Sequence, residues 1–265
     1  MPGDIVFDRG SYSDVEEIRK FTSSTWKVGY YADLYQKLGH TGTMEDYVDK
    51  VIEKWVSEGS VYVLRMYGHP VATIHIEKLL DGSIMLGGLR IHPDHRGSKL
   101  GTRIMKETIE FLSGQTGKLR SAVYSWNEPS LSLVKKFGFK SVEEFMIYTF
   151  HEEDSHGQQP KPLIEEYSGT QKCFFIDWKY VCLDDPKQIF TKYAGNIISS
   201  GNLLVYFDAY EGGTDFVVND ANDAESFIED HKRLPGLVTF YVRKALTDGI
   251  SMKPSSSITI WEWNY

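Results

Sequence analysis

Cysteine is nearly absent from this chain. Only Cys173 and Cys182 occur in 265 residues, which excludes a disulfide framework and any C-x-x-C metal or redox pair. Reduced core thiols are expected for both, with a single structural disulfide as the alternative. No apolar run approaches the roughly 18 residues of a membrane-spanning helix, and no secretory leader opens the chain, so a cytoplasmic protein without a membrane partner is expected. A basic excess is missing as well. Lys and Arg number 29 against 37 Asp and Glu, a formal charge of -8, and this disfavours nucleic acid and anionic membrane surfaces as partners. The remainder is an ordinary globular composition, 41% hydrophobic, long enough for one large domain or two modest ones. Aromatic residues are plentiful at 14%, which suits large cores as well as aromatic-lined pockets.

One stretch organises the rest. Residues 84–112 read as a buried strand, a turn of small and basic residues, and a helix. Ile84 to Leu86 and Leu89 to Ile91 form an apolar run broken by Gly87 and Gly88, the pattern of a strand covered on both faces. Glycine inside such a run marks a bulge or a close approach by backbone or ligand. Pro93 ends the strand. From Lys99 onward, Leu100, Ile104, Met105, Thr108, Phe111 and Leu112 recur at helical spacing and define a buried face. Between strand and helix the chain crowds Arg90, His92, His95, Arg96, Lys99, Arg103 and Lys106. A helix start presents unsatisfied N–H groups and a partial positive charge, and small residues let a phosphate reach them. A local cationic cluster in an acidic chain therefore suits a bound polyanion, although a solvated loop would show the same pattern.

Around this centre the elements alternate. A strand at Ile5 to Phe7 precedes a helix capped by Ser11 or Ser13. Trp26 to Leu38 bunches Tyr30, Tyr31 and Tyr35, and Thr43 caps a second helix bearing Tyr47, Val48, Val51, Ile52 and Trp55. Strands Val61 to Tyr67 and Val71 to Glu77 are joined by Gly68-His69-Pro70, and Asp81-Gly82 turns the chain into the central strand. After the long helix come a strand from Leu119 to Ser125, a short helix from Pro129 to Phe137, and strand material from Phe139 to Phe150.

Arg96, Gly101 and the lead-in Leu89-Arg90-Ile91-His92-Pro93 resemble the acetyl-CoA-binding motif R/Q-x-x-G-x-G/A of the GCN5-related N-acetyltransferases. Lys99 replaces the central Gly and is expected to sit helically, its ammonium toward a phosphate. A second motif agrees. Asn127 to Phe139 resembles the family's N-x-x-A-x-x-L-Y-x-x-x-G-F, with Asn127, Leu133, Gly138 and Phe139 matching and Ser130 in place of Ala. By its own chemistry Asn127 is also a good helix N-cap, and Gly138 a good terminator. The resemblance covers roughly residues 4–150. It implies an α/β (α+β) fold with a mixed, mostly antiparallel twisted sheet flanked by helices, and acetyl-CoA (coenzyme A) as cofactor. The cofactor-binding positions it implies are Leu89, Arg90, Ile91, Arg96, Gly97, Ser98, Lys99, Leu100, Gly101, Thr102, Asn127 and Ser130. The N–H of Ile91 or Leu89 becomes the oxyanion donor.

The proton-handling groups do not carry over. Val134 stands where many members have a Tyr acid, and Gly87 and Gly88 where some have a Glu base. On the neighbouring strand Glu77 and His75 share a face; Glu77 is the first candidate base and His75 the second. His92 and His95 lack the ligand set a metal needs, so no metal site is assigned. The resemblance further implies that the acceptor enters near Trp26 to Leu38, where Tyr30, Tyr31, Asp33 and Tyr35 would line a pocket.

Residues 152–162 are polar and proline-bearing and read as a linker, dividing a domain at 1–151 from a small α/β domain at 163–265. In the latter, Cys173 to Leu183 reads as one strand and Pro186 to Ala194 as a helix. A hairpin spans Leu203 to Val218, a helix Ala221 to Lys232, and a strand Leu237 to Arg243. No cofactor motif occurs there. The half could be a degenerate copy of the first, a layout similar to histidine N-acetyltransferase-like proteins. The expected activity is direct acetyl transfer to the amine of a small molecule or amino acid. An acyl-CoA-binding regulatory protein and a peptide or protein N-acetyltransferase are the competing readings, and a homodimer is left open.

Overall fold

In the computed structural model the described residues are 5–25, 46–115, 117–152, 158–210 and 213–265. Compactness divides the chain into two units: 1–78 with 84–117 and Tyr265, and 79–83 with 118–264.

The first unit contains β1 (Ile5–Arg9), α1 (Val15–Thr22), α2 (Val48–Ser57), β2 (Val61–Met66), β3 (His69–Lys78), β4 (Ile84–Ile91) and α3 (Leu100–Leu112). Its strands pair antiparallel in the order β1-β2-β3-β4. The β2–β3 turn is tighter than the sequence suggests. Tyr67 and Gly68 both take positive φ, Met66 pairs with His69, and Pro70 sits inside β3 where the register shifts. Val15, Ile18 and Phe21 of α1 pack with Val48, Ile52 and Val56 of α2 over Val61 and Val63. At the start of α1, Ser11 and Asp14 bond reciprocally, and Arg65 forks onto the Asp14 carboxylate at 2.5 and 2.8 Å. The buried face of α3 is Leu100, Ile104, Met105, Thr108 and Leu112. Phe111 departs from it: it is exposed at one edge, resting on Tyr62 and Phe7.

The second unit contains β5 (Lys118–Tyr124), α4 (Glu128–Lys136), β6 (Lys140–Glu152), β7 (Leu163–Tyr167), β8 (Cys173–Ile176), β9 (Lys179–Cys182), α5 (Lys187–Lys192) and β10 (Ile197–Gly201). It continues through β11 (Leu203–Tyr210), β12 (Gly213–Asp220), α6 (Ala224–His231), β13 (Gly236–Arg243) and β14 (Ser256–Asn264). Within it the strands run β5-β14-β6-β13-β12-β11-β10-β7, antiparallel except β12–β13 and β10–β7. This is a mixed, mostly antiparallel sheet flanked by helices. Alternation along the strands feeds two cores. Leu204, Tyr206, Val217 and Tyr241 join the cluster under the β8–β9 hairpin, while Val205, Phe207, Phe216 and Phe240 join the cluster under α6.

Two features depart from the sequence reading. The run from Cys173 to Leu183 is a hairpin, because Asp177 and Trp178 both turn through positive φ. Cys173 and Cys182 face each other across it and form a disulfide, not two reduced thiols. The position expected to end the first domain lies at the close of β6, a strand flanked by β14 on one side and β13 on the other.

Candidate active site at the start of the long helix

The glycine pair in β4 does what a break in an apolar strand implies. His75 pairs with Gly87 and Thr73 with Arg90, so one residue of β3 opposes two of β4, Gly88 and Leu89. This is a bulge. Gly88 has φ +56, and a Cβ there would lie 2.8 Å from the Trp55 ring. Trp55 in turn stacks face to face on the His75 imidazole, with centroids 3.9 Å apart. A bulged strand, a glycine and a stacked ring pair thus fix the backbone of Leu89 to Ile91.

Beyond β4, Pro93 to His95 makes a single 3-10 turn, with the His92 ring accepting from the Asp94 N–H. The chain then passes through Gly97 (φ +79) and Lys99 (φ +64) into α3. Lys99 is left-handed at the N-cap, not helical as its sequence position suggests. A non-glycine residue held there is strained by roughly 1–3 kcal/mol, a conformation that clusters at functional sites. No side chain among the described residues caps α3, and its first i→i−4 bond runs from Arg103 N–H to Lys99 O. The amides ahead of that bond have no intrahelical acceptor. A Cβ added at Gly97 or Gly101 would meet no described atom within 4 Å. Space, amide donors and helix dipole therefore coincide, and the residues fit a diphosphate.

The cationic cluster sorts itself once partners are known. Arg90 forks onto the fully buried Asp46 carboxylate at 2.6 and 2.9 Å, so its backbone is what it offers a cofactor. Arg103 donates to the Ile5 carbonyl at 2.6 Å, and Lys106 pairs with Glu110. Ser98 donates its hydroxyl to the His95 carbonyl. Lys99 is exposed and has no carboxylate partner among the described residues. It supplies charge at the turn, next to the half-buried Arg96.

Of the candidate bases, His75 is 8% exposed and packed against Trp55. Glu77 is half-buried, two residues further along β3 and opposite Met85. Asn127 and Ser130 belong to the second unit, where Asn127 Oδ1 accepts from the Ser130 N–H and caps α4. Val134 is 2% exposed and belongs to a core. Trp26 to Leu38, with Tyr30, Tyr31, Asp33 and Tyr35, lies outside the described residues, as does Thr43. Sequence reasoning misses Asp46 and the role of Trp55. Asp46 carries no local signal, and Trp55 reads as one more apolar position on α2.

Comparison with known proteins decides the family. Residues 26–139 match the model of the Acetyltransferase (GNAT) family. A crystal structure of a Thermoplasma acidophilum protein named as an acetyltransferase is 63% identical, with 98% of this chain and 100% of that chain covered and a TM-score of 0.89. This chain belongs to the GNAT acetyltransferase family. Two more distant structures share the fold over 98% of it. A GCN5-related N-acetyltransferase from Sphaerobacter thermophilus has 13% identity, 95% of its own chain covered and a TM-score of 0.54. A protein named as an acetyltransferase from Pyrococcus horikoshii has 11% identity, 89% of its own chain covered and a TM-score of 0.60. No curated protein matches the chain. Acetyl-CoA is the cofactor of this family, and no helix among the described residues is long and apolar enough to cross a membrane.

Proposed function

We propose that the chain transfers an acetyl group directly from acetyl-CoA to the primary amine of a small molecule or amino acid. One observation carries this reading: a glycine-bulged strand delivers the backbone into a helix start that no described side chain caps and no Cβ crowds. When bound, acetyl-CoA would supply the acetyl group: the amide C–N bond forms as the thioester C–S bond breaks, and coenzyme A leaves as a thiolate that takes a proton from water. The amides from Gly97 to Thr102 hold the diphosphate, and Lys99 and Arg96 add charge. Leu89 and Ile91 present backbone donors and acceptors from a strand whose course the bulge has redirected; these would pair with the cofactor's amides, and an N–H of the pair would be the donor to the thioester oxygen. Asn127 and Ser130 keep a cofactor role on the family resemblance alone. Glu77 stands about 7 Å along β3 from the level of Gly87, so it takes the amine's proton through water. His75, held against an indole, positions the bulge.

The second half reads as a worn copy of the first. The order β10, β11, β12, α6, β13, β14 repeats β2, β3, β4, α3, β5, β6 except that α4, between β5 and β6, has no α-helical counterpart between β13 and β14; in each case three antiparallel strands precede the helix.

A second reading, a coenzyme A-binding protein without turnover, is favoured by Val134, a buried aliphatic where many members carry an acid. Thiol release from acetyl-CoA against a panel of amines, amino acids and peptides tests both. Release with small amines supports the enzyme, release with peptides alone moves the acceptor class, and tight cofactor binding with no release anywhere supports the binder.

A further inference from the structure

The two cysteines close the open end of the β8–β9 hairpin, and acyl transfer makes no use of them. Cys173 and Cys182 pair directly across the strands, nine residues apart in sequence, and are joined by a disulfide. Both are half-buried and not sealed in the core, within reach of a small solute. They are the only cysteines in the chain, so all of its thiol chemistry resides here. Disulfides that close short loops restrain the unfolded chain least, and exposed ones are the exchangeable ones.

The hairpin depends on what surrounds it. Its strands form a two-stranded sheet of their own, a unit that is marginal by itself. Its turn passes through Asp177 at φ +48 and Trp178 at φ +59, left-handed positions where glycine or asparagine is the usual choice. Phe174, Phe175, Ile176, Tyr180 and Val181 anchor it in the core beneath. Three buried polar side chains hold its backbone. Asn219 bonds the Phe175 amide and carbonyl, Arg243 donates to the Cys173 carbonyl, and Arg120 donates to the Tyr180 carbonyl at 2.7 Å.

A second observation ties the sulfur itself to charge. Arg120 is 1% exposed and directs Nη2 at Cys182 Sγ from 3.6 Å. A guanidinium is a weak partner for a disulfide sulfur and a strong one for a thiolate, so this contact favours the reduced pair. Its other charged partners are Asp81 at 2.6 Å and Glu262 at 2.9 Å, with Lys118 balancing Glu262. Asp81 also accepts the Cys182 N–H at 2.9 Å. The turn at residues 79–83, part of the same unit, is thereby fastened to the cysteine. We propose that Cys173 and Cys182 are a reversible redox pair, reduced by a low-molecular-weight thiol, and that the hairpin and the 79–83 turn loosen together on reduction. An incoming thiolate attacks one cystine sulfur, forming a mixed disulfide as the Cys173–Cys182 bond breaks and the other cysteine leaves as a thiolate. A second thiolate attacks the mixed disulfide, the small disulfide departs, and both cysteines take protons from water. Two small thiols are oxidised as one cystine is reduced.

The test uses the full-length protein without acetyl-CoA, in glutathione buffers. Alkylation read by mass spectrometry gives the reduced fraction, and amide hydrogen exchange reads the hairpin and the turn. Under native conditions about 10 mM reduced glutathione should reduce at least about half of the protein within hours, and glutathione disulfide should restore it. On reduction the Phe175 and Cys182 amides should exchange at least about tenfold faster, with β11 to β13 unchanged. The melting temperature should fall by roughly 5–10 °C. The double variant Cys173→Ser, Cys182→Ser should match the reduced protein and ignore glutathione; should it fail to fold, the wild-type measurements decide alone. A disulfide reduced only in denaturant, or reduction that leaves hairpin exchange and melting temperature unchanged, overturns the proposal. So does a glutathione response that persists in a folded double variant. The proposal does not rest on the acyl-transfer reading, which is tested separately by thiol release.

Discussion

The turn from β4 into α3 and the turn from β12 into α6 each bring a strand to a helix start, and they use its N–H groups differently. At α6 the chain caps itself. Asp223 accepts from the Ser226 N–H at 2.9 Å, Asn219 is fully buried against the backbone of Phe175, and Asp220 accepts from the Tyr167 hydroxyl. Carboxylates occupy the place an anion would take. At α3 no described side chain caps the helix, Gly97 and Gly101 leave open space, and Lys99 contributes a cation with no carboxylate partner among the described residues. β12 is bulged against β11 at Asn219 as β4 is bulged against β3, so the bulge alone does not separate the two turns. A similar order of elements thus supports anion binding in one place and excludes it in the other. The deciding property is whether the chain's own side chains satisfy the helix terminus.

The comparison can be broken at several points. The largest effect is expected from Gly101→Glu. Its side chain enters open space, so circular dichroism should be unchanged, while coenzyme A affinity by calorimetry falls at least about 100-fold. Unchanged affinity would remove the site from α3. Glu77→Gln should lower turnover about 10- to 100-fold with cofactor affinity within about twofold; equal kinetics would assign the proton to another group.

A third test sets carboxylates of the second unit against each other. Asp215 has its pKa raised from 3.8 to about 6, so its ionisation disfavours the fold. Below pH 4 it costs nothing. Stability is lost as pH rises from about 4 to about 6, reaching up to about 3 kcal/mol above that. Asp215→Asn should therefore raise the melting temperature at pH 8 and leave it nearly unchanged at pH 4. Asp81 and Glu262 behave oppositely. Burial alone would raise both, but Ser83, the Cys182 N–H and Arg120 hold Asp81 low, and Arg120 and Lys118 hold Glu262 low. Their stabilisation is present at neutral pH and lost as pH falls through their depressed values. Parallel pH profiles for wild type and Asp215→Asn would refute the account.

Smaller effects complete the series. Asp223→Ala should cost about 1 kcal/mol as a lost cap and leave coenzyme A affinity unchanged. A loss of affinity there would erase the distinction between the two turns. Lys99→Gly should reduce affinity only about twofold to fivefold and weaken its salt dependence, since the left-handed turn suits glycine and only the charge is removed.

Much of the first unit is legible in the sequence because its signals are local. The α3 face and the Gly87-Gly88 break depend on residues within a turn or two of one another, and so does the Asn127 cap at the head of α4. The rest of the second unit is harder. β8 and β9 read as a single strand because the Asp177-Trp178 turn carries no glycine, and β7, β10 and β14 escape the sequence reading altogether. β14 alternates well from Ile258 to Trp263, but its neighbours β5 and β6 lie more than a hundred residues away. Charge misleads in the same way. Arg90 reads as a phosphate ligand until Asp46, 44 residues earlier, is found to hold it.

By itself the sequence determined the strand–turn–helix proposed to meet the cofactor, the family to which it points, and that Val134, Gly87 and Gly88 stand where the usual acid and base would. These follow from residue type and short-range spacing. The tertiary structure alone decided that Asp46 holds Arg90 and Glu110 pairs with Lys106, which cysteines join, where β14 inserts, and that acids and aromatic rings from the hairpin and three strands line one cavity. Those outcomes depend on which distant segments desolvate one another, and no local pattern encodes that.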